Sequence, residues 1–238
     1  KYLGRIDLKV NNGKVVETSS NLIPIFSDVI PPDKEISNLI NKVRLPFEKE
    51  CNRVIGETET LLYRRGNFNG SWDDVICDTI IQERDTEISL SPGFRWGTSI
   101  LPGQKITIDD IYSQTAMNYP EVYRTEMTGK MIKELLEDVC DNIFNPDPFF
   151  QQGGDMVRVG GLTYTCSPKN EIGKRISNLR MVSTDKPLEA SKKYIVGGWG
   201  SINPNVEGPP IYRLLENYIS NKKILTKNNL NAVKVKGM

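Results

Sequence analysis

The sequence predicts an α+β fold, a mixed α/β arrangement, on three observations. Strand-like and helix-like segments are interspersed along 238 residues without the regular strand–helix–strand repeat of a parallel sheet. Asn12-Gly13, set between two runs of strand character, is a hairpin signal. Met131, Ile132, Leu135, Leu136 and Val139 recur at helical spacing and mark the clearest amphipathic helix in the chain.

The elements follow in order. Residues 2–10 alternate as a strand, and Val15 to Ile25 supplies its return. Pro31-Pro32-Asp33 breaks the chain and caps a helix that carries Ile36, Leu39, Ile40 and Val43; Pro46 should kink or end it. Val54 to Leu62 reads as a strand and Arg64 to Gly70 as a polar loop. Ser71 and Asp74 form a capping box for a helix with Trp72, Val75, Ile76, Thr79 and Ile80 on one face. A short strand, Glu87 to Leu90, leads into the turn Ser91-Pro92-Gly93. Thr107 and Asp110 form a second box and open a short helix through Met117. Glu121 to Met127 reads as a strand ahead of the amphipathic helix. Val157 to Thr165, Arg175 to Val182 and Lys193 to Val196 are strand candidates, and Pro210 to Ser220 a last helix. From Asn221 the Lys/Asn-rich tail is expected to fray or pack weakly.

These elements group into three parts. Residues 1–30 read as the last hairpin of one domain, 31–53 as a linker helix, and 54–238 as a second domain. The chain opens inside a strand, so the expectation is that the first domain continues upstream.

Composition narrows the function classes. With 26% charged and 38% hydrophobic residues, the chain has the balance of a soluble globular protein. A net charge of +1 provides no nucleic-acid footprint. Membrane insertion is not expected, because no stretch approaches the roughly 20 apolar residues of a span. The chain has no histidine. That removes the common Ser-His-Asp and Cys-His nucleophilic systems, and the commonest ligand of zinc, manganese and iron. A carboxylate-only magnesium or calcium site stays open, although no Asp-x-Asp-x-Asp-Gly loop occurs. Cys51, Cys77, Cys140 and Cys166 are widely spaced, with no Cys-x-x-Cys pair. They read as buried thiols, with one or two disulfides open to an exported protein.

Two segments pair glycines with an arginine: Ser91-Pro92-Gly93-Phe94-Arg95-Trp96-Gly97, and Gly153-Gly154-Asp155-Met156-Val157-Arg158-Val159-Gly160-Gly161. Glycine admits close backbone approach, and the arginine fork matches a carboxylate, phosphate or sulfonate. Together they read as an anion pocket; separately, each also reads as a tight turn with a surface arginine. Phe94, Trp96, Phe149, Phe150 and Trp199 either wall a ligand slot or fill core. Phe149 and Phe150 are the better wall candidates, and Trp199, among glycines, is expected to be exposed. Asp73, Asp74 and Asp78 suggest a metal or acid–base pair, but charges at a helix N-terminus account for the first two. Glu134, Glu137, Asp138 and Asp141 read as a solvated helix face.

The order of these pieces resembles the C-terminal domain of the 5′-nucleotidase family. The carrying segments are the capping-box helix, the Pro-Gly-Phe-Arg loop, Leu101-Pro102-Gly103-Gln104-Lys105-Ile106-Thr107-Ile108-Asp109-Asp110, and Thr128-Gly129-Lys130-Met131-Ile132-Lys133-Glu134-Leu135. Tyr2-Leu3-Gly4-Arg5-Ile6 resembles the closing strand of that family's metallophosphatase domain. Gly66 to Asp73 and the two glycine–arginine segments are most similar to the thiosulfohydrolase branch of the family, from bacterial sulfur oxidation. Nucleotidases usually carry Asn-Gly-Gly-x-Arg where this chain has Ser91-Pro92-Gly93-Phe94-Arg95.

The resemblance implies a periplasmic hydrolase that releases sulfate from an S-thiosulfonate on the cysteine arm of a sulfur carrier protein. It implies two manganese ions held by the metallophosphatase domain, none of whose ligand motifs lies in this chain, so that this chain alone would be inactive. The substrate-binding expectation is that Arg95 and Arg158 contact the sulfonate or the arm. Gly93, Gly153 and Gly154, with Asp155 beside them, would permit close approach, and Phe94 and Trp96 would shape the slot. A nucleotidase or another phosphoesterase of the same fold, and a binding module without catalysis, are the competing expectations.

Overall fold

The computed structural model describes residues 2–64, 66–94, 97–201, 205–226 and 232–237. The chain divides into two compact units, Lys1–Lys49 and Glu50–Met238.

The first unit is a hairpin and a helix. Strands β1 (Tyr2–Asn11) and β2 (Lys14–Pro24) pair antiparallel, with a bulge between Lys9 and Val10. Asn12 and Gly13 close the turn, both at positive φ (49° and 74°) as a two-residue hairpin with matching twist requires. Register puts Tyr2, Ile6 and Leu8 on the same face as Leu22, while Arg5, Asp7 and Lys9 lie on the other. The apolar members of that face are exposed in this chain. Helix α1 (Lys34–Arg44) starts where Asp33 accepts from the Ile36 amide, as the sequence predicts. At Pro46 the chain tightens into a 3-10 turn, Leu45–Phe47, before the short helix α2 (Glu48–Cys51).

The second unit runs β3 (Val54–Thr58), α3 (Ser71–Arg84), β4 (Ile88–Ser91), β5 (Lys105–Thr107), α4 (Ile108–Gln114), β6 (Tyr123–Thr128) and α5 (Gly129–Phe144). It continues β7 (Arg158–Gly160), β8 (Leu162–Cys166), β9 (Ile176–Met181), β10 (Lys193–Gly198), α6 (Ile211–Lys222), β11 (Ile224–Leu225) and β12 (Val233–Val235). The main sheet has the order β6-β10-β4-β7, in which only the β10–β4 pair is parallel. Two three-stranded sheets, β11-β3-β5 and β12-β8-β9, complete the framework. Helix α3 packs on β4, β7 and β10, and α6 packs on α3, α4 and β3. One core forms around Trp72, Ile76, Ile80, Ile111, Leu215 and Ile219; a second forms around Ile88, Leu136, Val159, Leu162 and Val196. The fold is the expected α+β arrangement. No helix among the described residues is long and apolar enough to cross a membrane.

Four details differ from the sequence reading. The α3 cap sits one residue earlier than predicted: Gly70 is the N-cap, and its N–H donates to the Asp73 carboxylate at 2.8 Å. Ser71 instead bridges the preceding segment, accepting from the Tyr63 amide and donating to the Leu61 carbonyl. The single strand predicted over Val157–Thr165 is two, separated at Gly161. The tail does not simply fray, because β11 adds to β3 and β12 pairs in parallel with β8.

The fourth difference concerns the acidic face of α5. Glu137 is buried, not solvated. Its Oε2 accepts from the Gly173 and Arg175 amides, and its Oε1 accepts from the Ile176 amide at 2.8 Å. Asp141, one turn on, pairs with the buried Arg175 guanidinium. A helix carboxylate thus holds the turn between β8 and β9 where backbone donors have no strand partner. Glu137→Ala would leave these amides buried without an acceptor, so it is expected to lower stability by about 3 kcal/mol or more. Urea unfolding checks this, and a change below about 1 kcal/mol would show that the amides find other partners.

Candidate functional site

Asp73 joins the segments that the sequence marks as candidate ligand loops. Its Oδ1 accepts from Arg64 Nε at 2.7 Å, and its Oδ2 lies 3.4 Å from Arg158 Nε. All three side chains have zero exposure. Arg64 spreads its remaining donors over two further elements. Nη1 donates to the Gln114 carbonyl at the end of α4, and Nη2 to the Pro92 carbonyl at the start of the glycine loop. Its guanidinium also lies 5.5 Å from the centre of the Phe94 ring. Arg158 donates to the Gly66 carbonyl at 2.9 Å and faces Asp155 at 3.6 Å. Burial lowers the Arg158 pKa, and the carboxylates of Asp73 and then Asp155 oppose that loss of charge.

The loop 66–70 is clamped to β7 by one side chain. Asn69 Nδ2 donates to the Val159 carbonyl at 2.9 Å, and its Oδ1 accepts from the Val159 amide at 3.2 Å. An amide side chain thereby supplies the pairing a neighbouring strand would give. The same Nδ2 reaches Asp74 Oδ1, while the Met156 amide donates to the Asn67 carbonyl.

Gly93 is set where backbone meets backbone. A Cβ there would lie 2.4 Å from the Met156 carbonyl oxygen and 2.8 Å from Asp155 Cβ. The absence of a side chain is what lets the two glycine–arginine segments touch. Gly153 and Gly154 differ: both lie at positive φ (82° and 90°), with open space where a Cβ would stand. Phe149 and Phe150, just before that turn, are 86% and 56% exposed and stand edge to face, with centroids 5.4 Å apart.

The structure therefore brings Gly93, Phe94, Asp155 and Arg158 together, with Gly153 and Gly154 on the adjoining turn. Arg95 and Trp96 lie outside the described residues. Arg158 is not a surface arginine; it faces inward, behind the loops. Trp199, expected at the surface, is buried: its Nε1 donates to Ser91 Oγ at 2.8 Å, and its ring meets Phe94 edge-on. Beside these loops a cleft of about 360 Å³ is lined by Pro92, Tyr123, Val157, Trp199 and Gly200. A larger cleft of about 680 Å³ opens between Asn67, Phe144, Gln151, Lys169 and Arg175. Sequence reasoning missed Arg64 and Asn69. Both sit in a run that reads as polar loop, and their partners are distant in the chain.

Two predictions follow from this geometry. Asp73→Asn leaves Arg64 and Arg158 buried without their shared counter-charge, and is expected to cost about 3–5 kcal/mol in a denaturation experiment; a loss under about 1 kcal/mol would remove Asp73 from this role. The second concerns Asp74. Burial pushes its carboxyl up to about 7 against the Asn69 hydrogen bond, with repulsion from Asp78 and Asp73 adding to the rise. The folded state then keeps a proton that the unfolded chain releases at about pH 4. Stability from this group is greatest near or below pH 4, and falls as pH rises through the interval to about 7. Asp74→Asn should flatten that dependence and leave the protein more stable at pH 8, on the order of 2–4 kcal/mol. Melting temperatures across the interval test this, and an unchanged slope in the variant assigns the effect to other groups.

A model of the 5′-nucleotidase C-terminal domain matches residues 54–203. The trifunctional nucleotide phosphoesterase protein YfkN of Bacillus subtilis (strain 168) is 23% identical over 224 residues, which is 84% of this chain and 14% of its own length. The solved structure of sulfate thiohydrolase SoxB from Thermus thermophilus, in complex with glycerol, superposes with a TM-score of 0.88 at 32% identity. The superposition covers 100% of this chain and 45% of SoxB. A 5′-nucleotidase precursor from Thermus thermophilus superposes with a TM-score of 0.75 at 16% identity, over 100% of this chain and 50% of its own; at that identity the likeness is one of fold. This chain spans half or less of the length of each of these relatives. With the matched segment holding β3 through β10 and both glycine–arginine loops, the chain belongs to the family of the 5′-nucleotidase C-terminal domain.

Proposed function

We propose that this chain is the substrate-binding portion of a thiosulfohydrolase that releases sulfate from a cysteine S-thiosulfonate of a sulfur carrier protein. The observation that carries the reading is the likeness to SoxB: 32% identity and a TM-score of 0.88 over the whole chain, against 16% and 0.75 for the nucleotidase precursor. The segments of thiosulfohydrolase character are also the ones that meet at Asp73.

In this reading water's oxygen ends on the sulfonate sulfur and the S–S bond breaks, leaving a persulfide on the carrier. Arg95, two residues after Gly93 in the sequence, offers its fork to the sulfonate oxygens. Arg158 is a positioning residue, holding the loops from behind. The open turn at Gly153 and Gly154 admits the carrier's narrow arm. Phe149 and Phe150 stand at 88° to each other, so the pair does not offer a nucleobase two parallel faces.

Two manganese ions are the metals this reading assigns to the enzyme. The described residues do not fit such a centre: the chain has no histidine, and no group of three or more His, Cys, Asp or Glu is placed to hold a metal ion. The metals belong on a preceding metallophosphatase domain, which supplies the activation of water when loaded. The apolar face of the hairpin, with Tyr2, Ile6, Leu8 and Leu22 exposed, supports such a neighbour. A sulfur carrier places the enzyme in the periplasm.

The test is to assay the protein that carries this chain on thiosulfonated carrier and on AMP. Sulfate release with weak turnover of AMP is expected. Efficient hydrolysis of AMP with no sulfate from the carrier would replace the reading with a nucleotidase. Arg95→Ala is expected to lower kcat/KM on the carrier by about 100-fold or more, as loss of a charged contact to the reacting group does. Unchanged sulfate release would take Arg95 out of the site.

A further inference from the structure

We propose that Cys140 and Cys166 form a disulfide that joins α5 to β8. Among the described residues the four cysteines are free thiols in the structure. Cys140 and Cys166 lie with their sulfurs 3.7 Å apart, and both are fully buried. They come from different elements, one from the inner face of α5 and one from the last position of β8. A disulfide needs the sulfurs at about 2 Å, so a sulfur contact at 3.7 Å requires a shift of under about 2 Å to become a bond. Cys77 is buried on α3, and Cys51 is half-buried on α2.

One of the two cysteines, as thiolate, attacks one sulfur of an oxidant's disulfide and expels one thiolate, giving a mixed disulfide. The other cysteine then loses its proton and attacks the protein-bound sulfur of that mixed disulfide, expelling the second thiolate. Two electrons and two protons pass to the oxidant, which leaves as a dithiol or as two thiols. Glutathione disulfide or a dithiol–disulfide exchange protein supplies this chemistry. Because both sulfurs are buried in the folded unit, the exchange belongs to folding, before α5 packs on the sheet.

The bond has a consequence for the site. Residues 141–165 lie between the two cysteines and hold Phe149, Phe150, Gly153, Gly154, Asp155 and Arg158. Joining the ends of that segment removes conformations it would otherwise sample when unfolded, so the element bearing the open turn gains stability without new contacts.

The experiment is oxidative refolding of the protein that carries this chain. The reduced, unfolded protein is refolded with glutathione disulfide, the remaining thiols are alkylated, and it is digested without reductant for mass spectrometry. The expected product is a peptide pair linked through Cys140 and Cys166, lighter than the two free peptides by two hydrogens. Reductant should then lower the melting temperature of the refolded protein by about 5–10 °C, and have no such effect on Cys140→Ala. Should Cys140→Ala fail to fold, Cys166→Ala and the reductant shift of the unaltered protein serve in its place. Full alkylation of both cysteines after oxidative refolding overturns the proposal, as does a link through Cys51 or Cys77. The outcome does not depend on the substrate: a confirmed disulfide in a protein that hydrolyses AMP leaves this inference standing and removes only the thiosulfohydrolase reading.

Discussion

Asp73 has two oxygens, each directed at a different buried arginine, and one of them also takes the amide of Gly70, the N-cap of α3. Two arginines and a carboxylate removed from water are costly groups, tolerable only when their charges and hydrogen bonds are met inside the protein. Here the charges are met by parts of the chain far apart in sequence, although Arg158 Nε and Nη1 make no hydrogen bond. Arg64 holds the Pro92 and Gln114 carbonyls, and Arg158 holds the Gly66 carbonyl and faces Asp155. The two glycine–arginine segments are therefore tied to the ion cluster through Pro92 and Arg158. Gly93 completes the arrangement, since its missing Cβ lets the loops close onto Met156 and Asp155.

The same device appears on the other side of the second core. Glu137 projects from α5 and takes amides from the turn between β8 and β9, while Asp141 takes Arg175. In both places a carboxylate on a helix secures a loop that has no strand to pair with. Irregular backbone next to a rigid helix gives a binding surface that is shaped but not stiffly regular.

Arg64, Asp73, Arg158, Asp141 and Arg175 are paired within the chain, and among the described residues no group of three or more His, Cys, Asp or Glu is placed to hold a metal ion. The match to the 5′-nucleotidase C-terminal domain takes in residues 54–203, and the superposition on SoxB covers 45% of that protein.

Local pattern was enough for much of the framework. Asn12-Gly13, the Asp33 cap, the Thr107–Asp110 box and the helical spacing of Met131 to Val139 were legible, because each depends on residues a few positions apart. The two glycine–arginine segments were also visible as unusual strings, although not as partners. Only the tertiary structure decided that Arg64 and Arg158 are sealed behind the loops. Arg64 looked like loop and Arg158 like surface, yet both are buried, because a carboxylate nine positions from one and much further from the other meets them in space. Glu137 and Trp199 were misplaced for the same reason: an acidic stripe and a glycine-flanked ring look solvated until distant backbone or side-chain groups supply their hydrogen bonds. Periodicity reports which residues share a face of an element. It does not report which buried polar group waits on the facing element, and in this protein that pairing positions the site.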